Sequence, residues 1–176
     1  MKHPERRPNM SKLNINLLLI PMILFVIGCT DTAQEDRSPD RDSSELLNIE
    51  YRADTCSYDD KEIRAKRYGA EIMTDEGEHH KFCSSEHLIA FLDENDDITD
   101  ENAKIRVVEF ADGKTLIHPS ETTFLDTPNQ PSPGGLNLHP FDSTKEHEIS
   151  RMQELYTGDL LTWEEAQEHV ADEFDL

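Results

Sequence analysis

The stretch from Leu13 to Ile27 constrains this chain more than any other, because it is apolar apart from Asn14, Asn16 and Pro21 and stops at Gly28-Cys29. A basic head of Lys2, Arg6, Arg7 and Lys12 precedes it. A run of about 15 residues falls short of the ~20 that a bilayer-spanning helix needs. The polar sequence after it, Thr30-Asp31-Thr32-Ala33-Gln34-Glu35-Asp36, carries no cationic stop signal. Basic head, short apolar core and small residue before the break together describe an export signal rather than a core element. The fold must come from the residues beyond Cys29.

Val26-Ile27-Gly28-Cys29 resembles the lipobox of bacterial lipoproteins. That resemblance implies a signal peptide over 1–28 and a diacylated Cys29 as first residue of the mature chain. The protein would then be anchored to a membrane by lipid, on its periplasmic or extracellular side.

The chain carries a net charge of −21, and residues 1–28 contribute +3, leaving −24 beyond them. An acidic surface of this size repels nucleic acid and anionic headgroups, so DNA and RNA are not expected partners. Residues 29–48 are rich in Asp, Glu, Ser and Arg with few apolar side chains, which predicts a disordered acidic tether. From 49 to 170 the apolar residues recur regularly over enough chain for one domain. Residues 171–176 are expected to fray. With Cys29 lipidated, Cys56 and Cys83 remain: in an oxidising compartment they form one disulfide or hold a metal as thiolates.

Tyr68–Met73 and His79–Cys83 flank Asp75-Glu76-Gly77, a hairpin signal. Ser84 or Ser85 then caps a helix burying Leu88, Ile89, Phe91 and Leu92. A second hairpin is predicted from Ile105–Phe110 and Thr115–His118 around Ala111-Asp112-Gly113, and it echoes the first. Ser120-Glu121 is expected to open a helical turn ending near Leu125, and Thr127–Gly135 a loop. Leu136–Phe141 alternates as a strand. Ser143-Thr144-Lys145-Glu146 is a capping box before a helix with Ile149, Met152, Leu155 and Tyr156 on one face, and Gly158 suits its C′ position. Leu160-Leu161 is a short apolar stretch, and Thr162-Trp163-Glu164-Glu165 caps a last helix with Ala166, His169 and Val170. The pattern is α+β: small antiparallel sheets with helices packed on them.

Cys56-Ser57-Tyr58-Asp59, Arg67-Tyr68-Gly69-Ala70-Glu71-Ile72, the Asp75-Glu76-Gly77 turn, Phe82-Cys83 and Leu88-Ile89-Ala90-Phe91-Leu92 succeed one another in an order similar to the NosL family. Its members are copper-binding lipoproteins that serve nitrous oxide reductase. Val107-Val108-Glu109-Phe110, Ser132-Pro133-Gly134-Gly135 and Leu161-Thr162-Trp163 continue the resemblance over roughly residues 50–170. It implies two ββαβ-like units, Cu(I) as the bound ion and an apo-cuproenzyme as the partner. Two family methionines fall at Lys61 and Gly134, so the thioethers expected to hold Cu(I) are missing. A related interaction lipoprotein that has lost metal binding is the alternative those two positions favour.

By the same resemblance Cys56 is the ligand cysteine, a soft donor suited to Cu(I). The competing reading of Cys56 and Cys83 is a disulfide closing the loop between them. Asp59 stands where some members have a second cysteine; it is expected to support the site by a hydrogen bond or to cap its own turn. His139, five residues past Gly134, is the expected replacement for the missing methionine, with a packing role as its alternative. His79-His80 point to opposite faces of a strand. His87 is expected on the helix surface, and His118, His147 and His169 have no evident partner. The sequence holds no G-x-S-x-G, P-loop, H-E-x-x-H or C-x-x-C, so a binding role is expected rather than catalysis. One enzyme remains in view: the family's fold resembles the core of organomercurial lyase, which uses cysteines and an aspartate, the types present at Cys56, Asp59 and Cys83.

Overall fold

Four antiparallel strands, in the order β2 (His79–Phe82), β1 (Ala70–Thr74), β3 (Ala103–Val108) and β4 (Leu116–Ile117), form one sheet, and three, in the order β6 (Leu138–Asp142), β5 (Thr122–Asp126) and β7 (Asp159–Leu161), form another. A computed structural model of the chain describes residues 49–176, all within one unit of the chain, Ser38–Leu176. The export signal, Cys29 and the tether lie outside the described residues. The helices are α1 (Ser85–Glu94), α2 (Glu146–Tyr156) and α3 (Trp163–Phe174). Two small antiparallel sheets with three packed helices make this an α+β protein, as expected.

The β1–β2–α1–β3 and β5–β6–α2–β7 segments are the same ββαβ unit twice, each with its first strand central. The repeat is not the one the hairpins suggested. That echo compared the first unit with its own β3–β4 extension, whereas the second unit begins at Thr122. There the expected helical turn is cut short: a 3-10 turn covers only Pro119–Glu121, and Thr122–Asp126 is a strand. Its β-branched and aromatic residues Thr122, Thr123 and Phe124 fit a half-buried pleat better than a helix.

The first hairpin forms as predicted, with Gly77 at φ +89° in its turn, where a side chain would be strained. Ser84 caps α1, its hydroxyl accepting the His87 N–H at 3.3 Å. The Thr162 capping box is complete, with Glu165 N–H donating to Thr162 Oγ1 and Thr162 N–H to Glu165 Oε2. The other predicted box does not form: Thr144 donates through both N–H and Oγ1 to Asp142 Oδ1, and Lys145 takes the cap position of α2 without a side-chain cap. Leu155, expected on the buried face, is 67% exposed. At the end of α2, Thr157 rather than Gly158 takes the positive φ. Gly158 serves close approach instead, since a Cβ there would lie 2.1 Å from the Asp126 carbonyl oxygen. Helix α3 runs past Val170 to Phe174, whose ring stacks on Tyr58 with centroids 6.1 Å apart.

Strand alternation distributes the core over the two faces of the second sheet. Phe124 and Leu138 join Ile72, Phe82, Leu88 and Val170 in the larger cluster, beneath α1 and α3. Leu125 and Phe141, on the opposite face, join Tyr68, Phe110, Ile149 and Met152 beneath α2. Helix α1 packs on α3 and on β6, so the start of α1 is held between the two units.

Candidate metal centre

The loop carrying Cys56 is closed on itself and tied to β2. Thr55 and Glu62 form an isolated antiparallel bridge, and the Cys56 N–H donates to the Lys61 carbonyl at 2.8 Å. Asp60 turns the chain at φ 58°, a conformation Asp tolerates better than most residues. The Ser57 N–H donates to the Lys81 carbonyl at 2.7 Å, and the Lys81 N–H donates to Ser57 Oγ at 3.1 Å. These bonds place Cys56 against the end of β2, where Phe82 gives way to Cys83 and then to the capping Ser84 of α1.

The result is a group of four potential ligands, Cys56, Asp59, Cys83 and His87, whose donor atoms all lie within 4.8 Å of one another. His87 Nδ1 is 3.3 Å from Cys56 Sγ and 3.2 Å from Cys83 Sγ. It lies 3.8 Å from Asp59 Oδ1. Two donors bonded to one ion at about 2.0–2.3 Å can be no more than about 4.5 Å apart, so both nitrogen–sulfur separations suit a shared metal. Cys56 is fully buried, while Cys83 and His87 are 6% and 5% exposed. Tyr58 and Phe174 flank the imidazole, with centroids 5.0 and 6.3 Å from it.

The electrostatics favour one thiolate at rest. A hydrogen bond from the Cys83 thiol outweighs burial and, with one from His87, holds Cys56 well below the ordinary thiol range. The same bond, burial and the neighbouring negative charge push Cys83 up. The Cys83 N–H also reaches Cys56 Sγ at 3.4 Å, just before the N-terminus of α1, where free N–H groups favour an anion. Burial works against ionisation of Asp59, yet Lys61 holds its carboxyl below the usual range through its ammonium at 2.7 Å and its N–H at 3.2 Å. Lys61 and Asp59 thus form an ion pair at the edge of the group.

Both cysteines are buried free thiols in this structure, with no bond between the sulfurs. Cys56, Cys83 and Asp59, singled out from the sequence, are brought together. His139 is not among them. Leu138 faces α1, so the next residue of β6 points to the other side, where His139 is fully buried against Phe110 and Tyr68, with ring centroids 4.4 and 5.8 Å away. Its Nε2 donates to the Gln130 carbonyl at 2.8 Å, and burial lowers its pKa to about 4. Packing, its alternative role, is the one this geometry gives it.

His87 is the residue that sequence reasoning missed. It was expected on the helix surface, but the first turn of α1 is buried beneath the Cys56 loop and the end of α3. The signal was the Cys83-x-x-x-His87 spacing, which straddles a helix cap and brings residues four apart onto one side. The other histidines have separate surroundings: His79 meets Glu71 at 2.9 Å, His80 packs on Phe91, His118 meets Asp100 at 2.9 Å and His169 lies 3.8 Å from Asp126.

Gly134 lies directly over the start of α1. A Cβ there would be 2.5 Å from Ser84 Oγ and 2.9 Å from Glu86 Cβ. Buried Glu86 fastens this loop down, accepting from Ser132 Oγ and from the Leu138 N–H at 3.2 Å. The loop approaches too closely to admit a methionine at 134 without opening.

No family model matches the sequence, and no curated protein does. Among solved structures, the fold is similar to the copper chaperone NosL from Shewanella denitrificans, with a TM-score of 0.51 and 18% identity over 65% of this chain and 90% of that one. At this identity the likeness is one of fold.

Proposed function

We propose that this chain is a lipid-anchored, extracytoplasmic copper-binding protein that carries Cu(I) to a cuproenzyme, with nitrous oxide reductase as the recipient implied by resemblance. The observation that carries this reading is the convergence of Cys56, Cys83 and His87, in a fold similar to that of a copper chaperone. Two thiolates and an imidazole form a soft, low-coordinate donor set suited to Cu(I) without any thioether. On this account Cys83 and His87 supply the donors lost at Lys61 and Gly134. Asp59 orients the site from beside it and balances its charge through Lys61.

Delivery requires ligands that exchange one at a time. Cys83 and His87 retain a small exposed edge, while Cys56 is buried, so an incoming donor meets Cys83 and His87 first. Cys56 is then the last ligand to let go. In the mature chain lipidated at Cys29, two thiols should react with an alkylating agent in the absence of metal, and one equivalent of Cu(I) should protect both. Unchanged alkylation in the presence of copper would favour the alternative of an interaction lipoprotein without metal.

One observation favours a second reading: a carboxylate adjoins the two thiols. An organomercurial-lyase-like enzyme would bind mercury of an alkylmercury ion through Cys56 and Cys83. The Cys83 thiol would give up its proton to the Asp59 carboxylate as its sulfur bound mercury, and transfer of that proton from Asp59 to carbon would break the carbon–mercury bond, releasing the alkane and leaving mercury(II) on the two thiolates. Release of methane from methylmercury by the native chain, abolished in Asp59→Asn, would establish it; no release would remove it.

A further inference from the structure

A second pocket, of about 490 Å³, shares no residue with the metal centre and is lined by Ile49, Tyr51, Ala65, Tyr68 and three cations, Lys66, Arg67 and Lys114, with Asp112 and Gly113 between them. Beyond residue 48 the sequence has 11 Lys and Arg against 31 Asp and Glu, so cations on this surface have abundant potential carboxylate partners. These three make no ion pair with any among the described residues. Aromatic faces hold two of them instead: the Lys66 ammonium lies 5.4 Å from the centre of the Tyr51 ring, and the Arg67 guanidinium 4.9 Å from that of Phe110. A ring face engages a guanidinium through its plane and leaves its N–H edge available to a ligand.

Asp112 does not cancel this charge by direct contact. Its carboxylate is engaged in its own turn, accepting from the Lys114 N–H at 2.7 Å and from Thr115 through both N–H and hydroxyl at 2.9 and 2.5 Å. Three cations less one carboxylate leave about two positive charges at the mouth, close to the charge of a phosphate monoester near neutral pH. Arg offers a planar fork for phosphate oxygens and lysines add point charges. Ile49, Ala65 and the rings of Tyr51 and Tyr68 add apolar surface for a carbon body.

From this arrangement we infer that the Lys66–Arg67–Lys114 pocket binds a phosphate-bearing anion, either a free phosphate ester or the headgroup of an anionic phospholipid. The phosphate sits among the three cations and its organic substituent lies along Tyr51 and Ile49. The site does not depend on copper.

Titration calorimetry on the metal-free full chain tests this with four probes: inorganic phosphate, glycerol 1-phosphate, dihexanoyl phosphatidylglycerol and dihexanoyl phosphatidylcholine. Saturable one-to-one binding of the phosphate esters or of the phosphatidylglycerol, stronger than that of the zwitterionic lipid, is expected. Binding of glycerol 1-phosphate alone assigns a free metabolite, and binding of phosphatidylglycerol alone a headgroup. Loss of any one cation by Lys66→Ala, Arg67→Ala or Lys114→Ala should weaken binding about tenfold, the scale of one charge-assisted hydrogen bond, and Arg67→Lys should recover part of it. All three side chains are exposed, so the variants should fold. Absence of saturable binding by every probe, equal binding of the zwitterionic lipid, or alanine variants that bind as tightly as the native chain would overturn the proposal.

Discussion

His87 Nδ1 lies between two sulfurs, 3.3 Å from Cys56 Sγ and 3.2 Å from Cys83 Sγ. The fold assembles this contact from separate pieces of chain. Cys56 comes from a closed loop, Cys83 from the end of a strand, and His87 from the first turn of the helix that succeeds it. Beside this contact Lys61 pairs with Asp59, and Gly134 packs on Glu86 over the start of α1.

The two buried histidines should therefore respond differently to substitution. His87→Ala should weaken Cu(I) binding by at least the 10–100-fold typical of losing a supporting partner of a metal ligand. His139→Ala should leave Cu(I) affinity within about threefold, but lower stability by a few kcal/mol through a cavity beside Phe110. Copper competition and urea unfolding on both variants separate these effects. A large loss of copper affinity in His139→Ala alone would reverse the assignment.

His139 also predicts a pH dependence of stability. Its folded pKa is about 4, against an ordinary value of 6.5, because burial disfavours the charged ring. As pH falls through about 6.5 the unfolded chain takes up a proton that the native state refuses, so stability present above that pH is lost down to about 4. The full loss corresponds to about 3 kcal/mol. Urea unfolding at pH 7.5 and 4.5 should show a smaller decline in His139→Phe than in the native chain. Equal declines would contradict the buried neutral ring.

A methionine at position 134 should harm this chain. Gly134→Met places a Cβ 2.5 Å from Ser84 Oγ, with Glu86 beneath it, so the loop must move. A destabilisation of about 1–3 kcal/mol is expected for such overpacking. It should appear as a lower midpoint in urea; an unchanged midpoint would mean that the loop yields freely.

Much of the fold was legible because its signals are local. Gly77 in a turn, Ser84 at a cap and the Thr162–Glu165 box each specify structure within a few residues. What escaped depends on distant contacts. Asp142 outcompetes the capping box expected at Ser143, and Gly158 answers to the Asp126 backbone rather than to its own helix. At the site, Cys56, Asp59 and Cys83 were visible as chemistry, but a histidine on an amphipathic helix reveals its neighbours only once the Cys56 loop and Phe174 are placed over it. His139 was misleading because nearness to Gly134 along the chain says nothing about face, and one step along β6 reverses it.

Membrane attachment makes an independent prediction. If the Val26-Ile27-Gly28-Cys29 ending acts as a lipobox, mass spectrometry of the membrane-bound protein should find a mature N-terminus at diacylated Cys29. An unprocessed Met1 on that protein would contradict it.

The most direct test of copper binding at the Cys56–Cys83–His87 site is an anaerobic competition titration with a chromophoric Cu(I) chelator, comparing the native full chain with Cys56→Ser. The native chain should withdraw one equivalent of Cu(I) from the chelator, and Cys56→Ser should withdraw none at the same concentrations. If the native chain competes no better than Cys56→Ser, the copper role is wrong for this protein.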